Sequence, residues 1–558
     1  MVLQNRLRVV VLVLPLFMVW GVLASVASVQ DEVTVATDER GHVALMGSLP
    51  AVLAVAQPFV DDGVLALLRT YPTPERYLAE AAAGYFPDDP PPDLAVYLYE
   101  VTAEPTAVPD ILQAIQNAAA DWDVVVETDQ LSWLSYLPQQ LLVSGPCATL
   151  AQTLEMVPGI FPQAVVDWEG EMACADNKQI WQLAIEDGMR VAEKVTAVNA
   201  LTHTITAQPN YLLIGSSRDY IAGSPYGPFA PDAGPRQPGP QPYTGAGVQV
   251  VVYDNIPYAL TVGESITTSF QGVSVTVSYP VALPHDLPQG PRSVPGHGTF
   301  VTGAAIALAP DAAYHLVAVL NETAVGDEFT WYQALAYKLD QTRPISHTLA
   351  GSVYNYSFTL EMTPTLNLTG TAALDQALRV IDDHNILQAA SAGNDSAFTT
   401  APLPMTWPAQ HPLTVGVTAV IWNDSGLSCY ANQGELAIWG GGIGRGQGSC
   451  TPTAILADCS NGSQAEYCVT GWEPASTTGY AFGLGTSYAT PQVVGLAAQG
   501  IQSQGNAPGD WPAPALIRAY LHGLVASNPD PANLQVGVIG NPYPDLHGRS
   551  LYLPLIVR

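Results

Sequence analysis

Gly247-Val248-Gln249-Val250-Val251-Val252-Tyr253-Asp254 is the stretch that decides the fold. A strand with one wet face alternates apolar and polar residues. A near-continuous apolar strand such as this one belongs in a sheet covered on both faces. Similar runs recur at 316–320, 386–391 and 413–420. Helical spacing falls between some of them, at 298–308, 331–339 and 374–383, and returns at 487–499 and 515–524. Strands alternating with helices predict an α/β domain with a doubly wound, mostly parallel sheet over 246–527.

Functional groups of such sheets gather at the carboxyl ends of strands and at the helix starts that follow. Three groups occupy places of that kind. Asp254 ends the opening strand. His297 stands between Gly296 and Gly298, just before Thr299-Phe300-Val301-Thr302-Gly303-Ala304. Ser487 lies in Gly485-Thr486-Ser487-Tyr488-Ala489-Thr490-Pro491, ahead of an apolar helix. A serine hydroxyl is a poor nucleophile until a base takes its proton. Imidazole suits that task near neutral pH. A buried carboxylate holds the ring in the needed tautomer and stabilises its cation. The helix start at Ser487 supplies N–H groups and the positive end of a dipole for a developing oxyanion. Singly, each residue has a plainer reading: a strand-loop turn, a surface histidine in a Gly-rich loop, a helix N-cap. Their joint setting and chain order favour a triad. His285, His315, His347, His384, His411 and His522 lack that setting and are read as structural or surface residues.

Gly296-His297-Gly298-Thr299-Phe300-Val301-Thr302-Gly303 resembles the H-G-T-H-V-A-G motif of the subtilisin-like serine proteases, the subtilases. Gly485-Thr486-Ser487-Tyr488-Ala489-Thr490-Pro491-Gln492-Val493-Val494-Gly495 resembles their G-T-S-M-A-T-P-H-V-A-G, and Val250 to Asp254 their aspartate strand. The order Asp, His, Ser is that of subtilisin. Ala390-Ser391-Ala392-Gly393-Asn394-Asp395 resembles A-A-G-N, which implies that Asn394 completes the oxyanion hole. Val353-Tyr354-Asn355-Tyr356-Ser357-Phe358-Thr359 resembles the strand ending in S-L-G, and Trp407-Pro408-Ala409 the Y-P-A segment. The resemblance implies Asp254, His297, Ser487 and Asn394 as catalytic residues. It implies Ser357, Phe358, Thr359, Ala392 and Gly393 as substrate-binding ones, the strand pairing with extended peptide. The chemistry calls for no cofactor. Structural calcium is common in the family, but no site can be matched here residue by residue. Four departures stand out: Asp254-Asn255-Ile256 for D-T-G, Phe300 for the second histidine, Tyr488 and Gln492 in the serine motif, and Thr359 for the glycine of S-L-G.

Outside this region, Leu94 to Val101, Asp110 to Ala120, Val124 to Glu127, Gln140 to Val143, Ala148 to Met156 and Ala164 to Trp168 read as strand, helix, strand, strand, helix, strand. That order is the split βαβ unit of a small α+β ferredoxin-like domain. It is expected over 94–175, and the resemblance implies a propeptide that assists folding and inhibits the site within the same chain. Ala207-Gln208-Pro209-Asn210-Tyr211 resembles the E-P-N-Y found near such a boundary. Residues 176–245 read as a junction, and 28–93 as a segment without assigned role that ends in the stiff Pro87-Asp88-Asp89-Pro90-Pro91-Pro92. Residues 1–27 have a basic start at Arg6 and Arg8, an apolar run at 9–22 and small residues at Ser25-Val26-Ala27, as in a secretory signal peptide. The run is short for a bilayer span, so no stable membrane span is expected after its removal. The tail, 528–558, ends in an apolar Tyr552-Leu553-Pro554-Leu555-Ile556-Val557-Arg558.

Of 558 residues, 48% are hydrophobic and 12% charged, a composition that supports large cores and argues against disorder. Acids outnumber bases 49 to 18, for a net charge of −31. Nucleic acid and anionic membrane both need basic patches, so they are excluded as partners. The resemblance implies protein or peptide substrates. The six cysteines, two early and four late, fit an oxidising, extracellular or cell-surface setting, and the late four allow three pairings. The expected function is a secreted serine endopeptidase made as a zymogen. Two rivals stay open. One is an inactive pseudoprotease that binds peptides on the same fold. The other is an acid-acting serine peptidase with a Glu-Asp pair, against which the intact His297 motif counts.

Overall fold

The computed structural model describes residues 42–71, 94–101, 107–119, 125–128, 136–146, 149, 156–166, 168, 178–185, 191–201, 204–215, 241–284, 287, 296–360, 372–398, 401–422, 426–445, 450, 468–472, 480–527 and 537–539. The signal-like segment, the Pro-rich linker, Cys147, Cys174, Cys459 and the apolar tail lie outside these residues.

The N-terminal part holds two small sheets. β1 (His42–Ser48), α1 (Leu49–Asp61), β2 (Leu65–Tyr71), β3 (Leu94–Val101), α2 (Val108–Ala119) and β4 (Val125–Thr128) build the first, in the order β2-β3-β1-β4 with antiparallel neighbours. Val43, Leu45, Val52, Val55, Tyr99 and Ile115 form its core. β5 (Tyr136–Pro146), β6 (Ile160–Val166), β7 (Lys178–Ile185), α3 (Val191–Leu201) and β8 (Thr206–Ile214) build the second. There the order β8-β5-β7-β6 repeats β4-β1-β3-β2, again antiparallel. Both have the strand order of a split βαβ unit.

A single ferredoxin-like unit over 94–175 is thus corrected. The strands expected at 94–101 and 124–127 close the first sheet, while those at 140–143 and 164–168 enter the second. The segment 28–93, given no role, contributes β1, α1 and β2, and the junction 176–245 contributes β7, α3 and β8. The cause is physical. α1 is apolar on most of its sides and carries Pro58, which blurs the 3.6-residue period. A strand's partner is set by distant register and burial, and local pattern does not carry either.

The remainder is one α/β body. Its elements are β9 (Val248–Asp254), β10 (Glu264–Phe270), β11 (Val273–Tyr279), α4 (His297–Leu308), β12 (Ala313–Ala318), β13 (Val325–Asp327), α5 (Glu328–Ile345), β14 (Gly351–Tyr356), β15 (Thr359–Leu360) and α6 (Ala372–Asp383). They continue with β16 (Leu387–Ser391), β17 (Thr414–Val420), β18 (Leu436–Trp439), β19 (Val469–Trp472), β20 (Tyr480–Gly483), α7 (Thr486–Ser503), α8 (Pro514–Gly523), β21 (Val525–Ser527) and β22 (Gly537–Ile539). A ten-stranded sheet runs β10-β11-β12-β9-β14-β16-β17-β18-β22-β21. From β11 to β22 every neighbouring pair is parallel, and β10 and β21 add antiparallel edges.

β9 is buried at every position, as its composition predicts. Val250 and Val252 enter one core with Phe300, Val301, Val493 and Val494, under α4 and α7. Val251 and Tyr253 enter the other with Trp331, Leu335, Leu374 and Leu378, under α5 and α6. The sheet is therefore doubly wound. Burying one such valine contributes about 1.5–3 kcal/mol. β12 and β14 flank β9 on opposite sides, so the chain changes direction across it. A crevice opens at the carboxyl end of a strand in that position, and Asp254 stands there. Cys429 is bonded to Cys450, and Cys468 is also in a disulfide. Among the described residues no helix is long and apolar enough to cross a membrane, and no cluster of three or more His, Cys, Asp or Glu could hold a metal ion.

Candidate active site

Asp254 is fully buried at the end of β9. Its two carboxylate oxygens lie 2.8 and 2.9 Å from Nδ1 of His297, the first residue of α4. Oδ1 also accepts the Asn255 N–H at 2.7 Å. A carboxylate can only accept, so this contact puts the imidazole proton on Nδ1 and leaves Nε2 as the basic nitrogen.

Asn255, one of the departures, turns out to join strand to helix. Its Oδ1 accepts the Gly298 N–H at 2.9 Å. Its backbone oxygen would come within 2.1 Å of a Cβ at residue 298, so only glycine fits there. Asn255 thus ties the end of β9 to the start of α4, next to His297. The sequence marked it only as an oddity, although a polar residue right after the aspartate was a usable signal.

Ser487 is the second residue of α7 and is buried. Its Oγ donates to the Gly215 carbonyl at 3.0 Å and lies 3.2 Å from the Ser357 carbonyl. Nε2 of His297 is buried and has no hydrogen-bond partner. The Ser487–His297 bond is therefore not made in this arrangement, because the hydroxyl is engaged by the chain's own Gly215. The two elements are nonetheless adjacent. The Tyr488 ring lies 5.5 Å from the imidazole and 4.3 Å from the Phe300 ring. Two departures thus meet as a packed pair. Gln492, the other changed residue of the serine motif, donates from Nε2 to the carbonyls of Trp439 and Tyr488, at 2.6 and 2.8 Å.

Asn394 follows β16. Its Oδ1 accepts from both N and Oγ1 of Thr486, each at 3.0 Å, which ties it to the residue before Ser487. With the oxygen occupied, the amide NH₂ is the group left to donate. Gly393 has φ of 102°, and a Cβ there would lie 2.6 Å from Asn432 Nδ2. Asn432 holds this loop through the Ala392 carbonyl at 3.2 Å and the Asp395 carboxylate at 3.0 Å. On the opposite side, Ser357 Oγ donates to the Ser487 carbonyl at 2.8 Å and accepts from Asn355 Nδ2 at 3.0 Å. Phe358 packs edge-on against Trp331.

The cleft holds a strand of the same chain. β8 lies between β13 and β15 and is antiparallel to both. Ile214 pairs with Thr359 and Val325, Leu213 with Leu360 and Gly326, and Leu212 with Asp327. The Gly215 N–H then donates to the Ala324 carbonyl at 2.8 Å. Thr359 therefore leaves its strand edge usable, despite the loss of glycine. Two side chains of β8 also cap helices. Asn210 Oδ1 accepts from the Phe329 N–H at 3.1 Å, and Gln208 Oε1 from the Ala373 N–H at 3.0 Å.

Beneath β8 lie two buried acids. Asn210 Nδ2 donates to Asp327 at 3.0 Å, and Gln208 Nε2 to Glu328 at 2.9 Å. Tyr332 donates to the other Glu328 oxygen, and Thr330 Oγ1 to Asp327 at 2.5 Å. Burial pushes Glu328 up to about 8 and also raises Asp327, against the pull of these donors. Four other histidines of this body have partners away from Asp254 and Ser487. His315 sits against Lys338, His384 on the Val380 carbonyl, His411 by Asp375 and His522 by Glu435.

Residues 275–527 match the profile of the Subtilase family, Peptidase_S8. No curated protein matches the chain. Solved structures that match include one titled as a lanthipeptide protease, at 20% identity and a TM-score of 0.39, over 54% of this chain and 86% of that one.

Proposed function

We propose, from the premise that residues 275–527 belong to the subtilase family, that this chain is an exported serine endopeptidase made as a self-processing zymogen. Ser487 adds to the carbonyl carbon of the peptide bond while His297 Nε2 takes its proton. Asp254 holds the ring and offsets its positive charge. The Ser487 N–H and Asn394 bind the oxyanion. Collapse breaks the C–N bond as His297 protonates the leaving amine, and water then hydrolyses the acyl ester by the same route in reverse.

One observation carries the reading: a peptide strand of the chain itself reaches Ser487, beside a buried Asp254–His297 pair. Cut and released, 136–215 acts as inhibitor of the cleft. The signal-like 1–27 directs export, and the paired cysteines fit an oxidising destination. A second reading rests on the free Nε2 of His297: a peptide-binding protein whose triad never closes. Sequencing the N-terminus of the exported protein beside an Asn394→Ala variant separates the two. The active reading expects a shortened wild type and, in the variant, about 10²- to 10³-fold lower kcat at nearly unchanged KM. An inactive protein gives no turnover in either.

The acids under β8 give the inhibitor a pH dependence. Glu328, with Asp327 and Tyr332 facing it, has its carboxyl raised to about 8 while β8 covers it. Removal of β8 returns it toward the ordinary carboxylate range. A group raised in the complex favours binding below its free value, and that contribution is lost as pH rises through the bound value. Inhibition of processed enzyme by added 136–215 should therefore weaken by at least about tenfold from pH 5 to pH 8, and Glu328→Gln should flatten the profile. Inhibition constants over that range check it; an equal slope in the variant counts against the assignment.

A further inference from the structure

The place in the cleft that Gly215 fills has no room for a side chain. A Cβ built there would lie 2.8 Å from the Ala324 Cβ, 3.1 Å from Leu320 Cδ1 and 3.4 Å from the Ala324 carbonyl oxygen. The first of these distances is closer than two carbon atoms can pack. The walls cannot easily give. Leu320 and Ala324 are each 2% exposed. Ala324 closes a tight turn, donating its N–H to the Asn321 carbonyl at 2.9 Å, while the Asn321 N–H donates to the Val325 carbonyl at 2.7 Å. Inside the turn, Asn321 Oδ1 accepts from the N–H groups of Thr323 and Val325 and from the Thr323 hydroxyl, at 2.8 to 3.0 Å. Ala324 itself has φ of 59°, so the methyl that forms the wall is held there at some backbone cost. Glycine in its place would suit that backbone better.

We infer that Ala324 and Leu320 determine specificity by admitting only glycine at the subsite where Gly215 lies, so that substrates are extended, aliphatic segments with glycine as the last or second-last residue before the cut, as in Leu212-Leu213-Ile214-Gly215. This rests on the protease reading above. The strand pairs fix the register on both sides of Ile214, and Ser487 Oγ touches the Gly215 carbonyl. The cut in the chain itself therefore falls at the Gly215–Ser216 bond or the next one. The chemistry is the hydrolysis already described, with water as the only co-reactant.

The test uses the full chain as wild type, Gly215→Ala, Ala324→Gly and the double variant, with a peptide of sequence 209–220 and its alanine analogue at position 215. Processed wild type should cut the glycine peptide after the glycine or the serine that follows, with kcat/KM about 10- to 100-fold above the alanine peptide, the scale of one misfitting methyl. Ala324→Gly should bring that ratio to within about threefold. In the chain, Gly215→Ala should slow self-processing by about tenfold or more, and Ala324→Gly in the same chain should restore it. The peptide series keeps the test intact if Gly215→Ala misfolds. Equal cutting of both peptides by wild type, a ratio unmoved by Ala324→Gly, or cutting elsewhere overturns the inference while leaving a protease. No cutting of either peptide, with no serine-directed labelling, overturns the protease reading and this inference with it.

Discussion

Ser487→Ala protein is expected to emerge with residues upstream of Ser216 still attached, where wild type is shortened, and to lose about 10⁶-fold in kcat on peptide. Among the described residues, the Ser487 hydroxyl is a nucleophile that touches the strand in the cleft. Its Oγ already contacts the Gly215 carbonyl, on the chain segment that it is expected to cut. Removing one oxygen from a buried helix start leaves α7 and its packing on Phe300 and α4 untouched, so the variant should fold as wild type does. What remains of catalysis is the share that oxyanion donors and binding supply without a nucleophile. N-terminal sequencing and a peptide assay read both effects. Equal shortening of both proteins would assign maturation to another enzyme. Activity within about tenfold of wild type would remove Ser487 from its role.

Asp254→Asn carries the second large effect, a loss of about 10⁴-fold in kcat with KM little changed. The two carboxylate oxygens hold His297 Nδ1 as a donor. An amide there can donate to Nδ1 instead, which moves the ring proton to Nε2 and removes the base. It also leaves the imidazolium of the transition state without its counter-charge. The geometry around it, including the Asn255 bridge to Gly298, does not depend on the lost charge. Steady-state kinetics on the self-cleavage peptide check the split between kcat and KM. A variant that loses binding but keeps kcat would contradict the role given to Asp254.

Much of this site was legible in the residues because its parts are local. β9 declares two covered faces through Val250-Val251-Val252, and the structure alternates those valines between two cores. The glycines around His297 and Ser487 mark close approaches, of which Gly298 against Asn255 is an instance. The motif around Asn394 is local too, and its oxygen is tied to Thr486, the residue before Ser487. What was not legible depends on distant partners. β3, α2 and β4 have recognisable local patterns, but their pairing with β1 and β2 across 42–71 does not, and α1 hides its period behind Pro58. Ala207 to Tyr211 reads in sequence only as a boundary. Its work is done across 119 and 165 positions of chain, where Asn210 and Gln208 close the starts of α5 and α6. The glycine-sized subsite was beyond reach for the same reason, since Gly215 meets Ala324 and Leu320 only once β8 is seated.

Everything turns on whether Ser487 is driven as a nucleophile by His297 once the cleft is empty. The most direct measurement is labelling of processed protein with a fluorophosphonate, followed by mass spectrometry of its peptides. The account predicts one adduct, on Ser487, in wild type and none in a His297→Ala variant exposed to the same reagent. Protein freed of residues 1–215 that takes no label at Ser487, or takes it equally without His297, would contradict it.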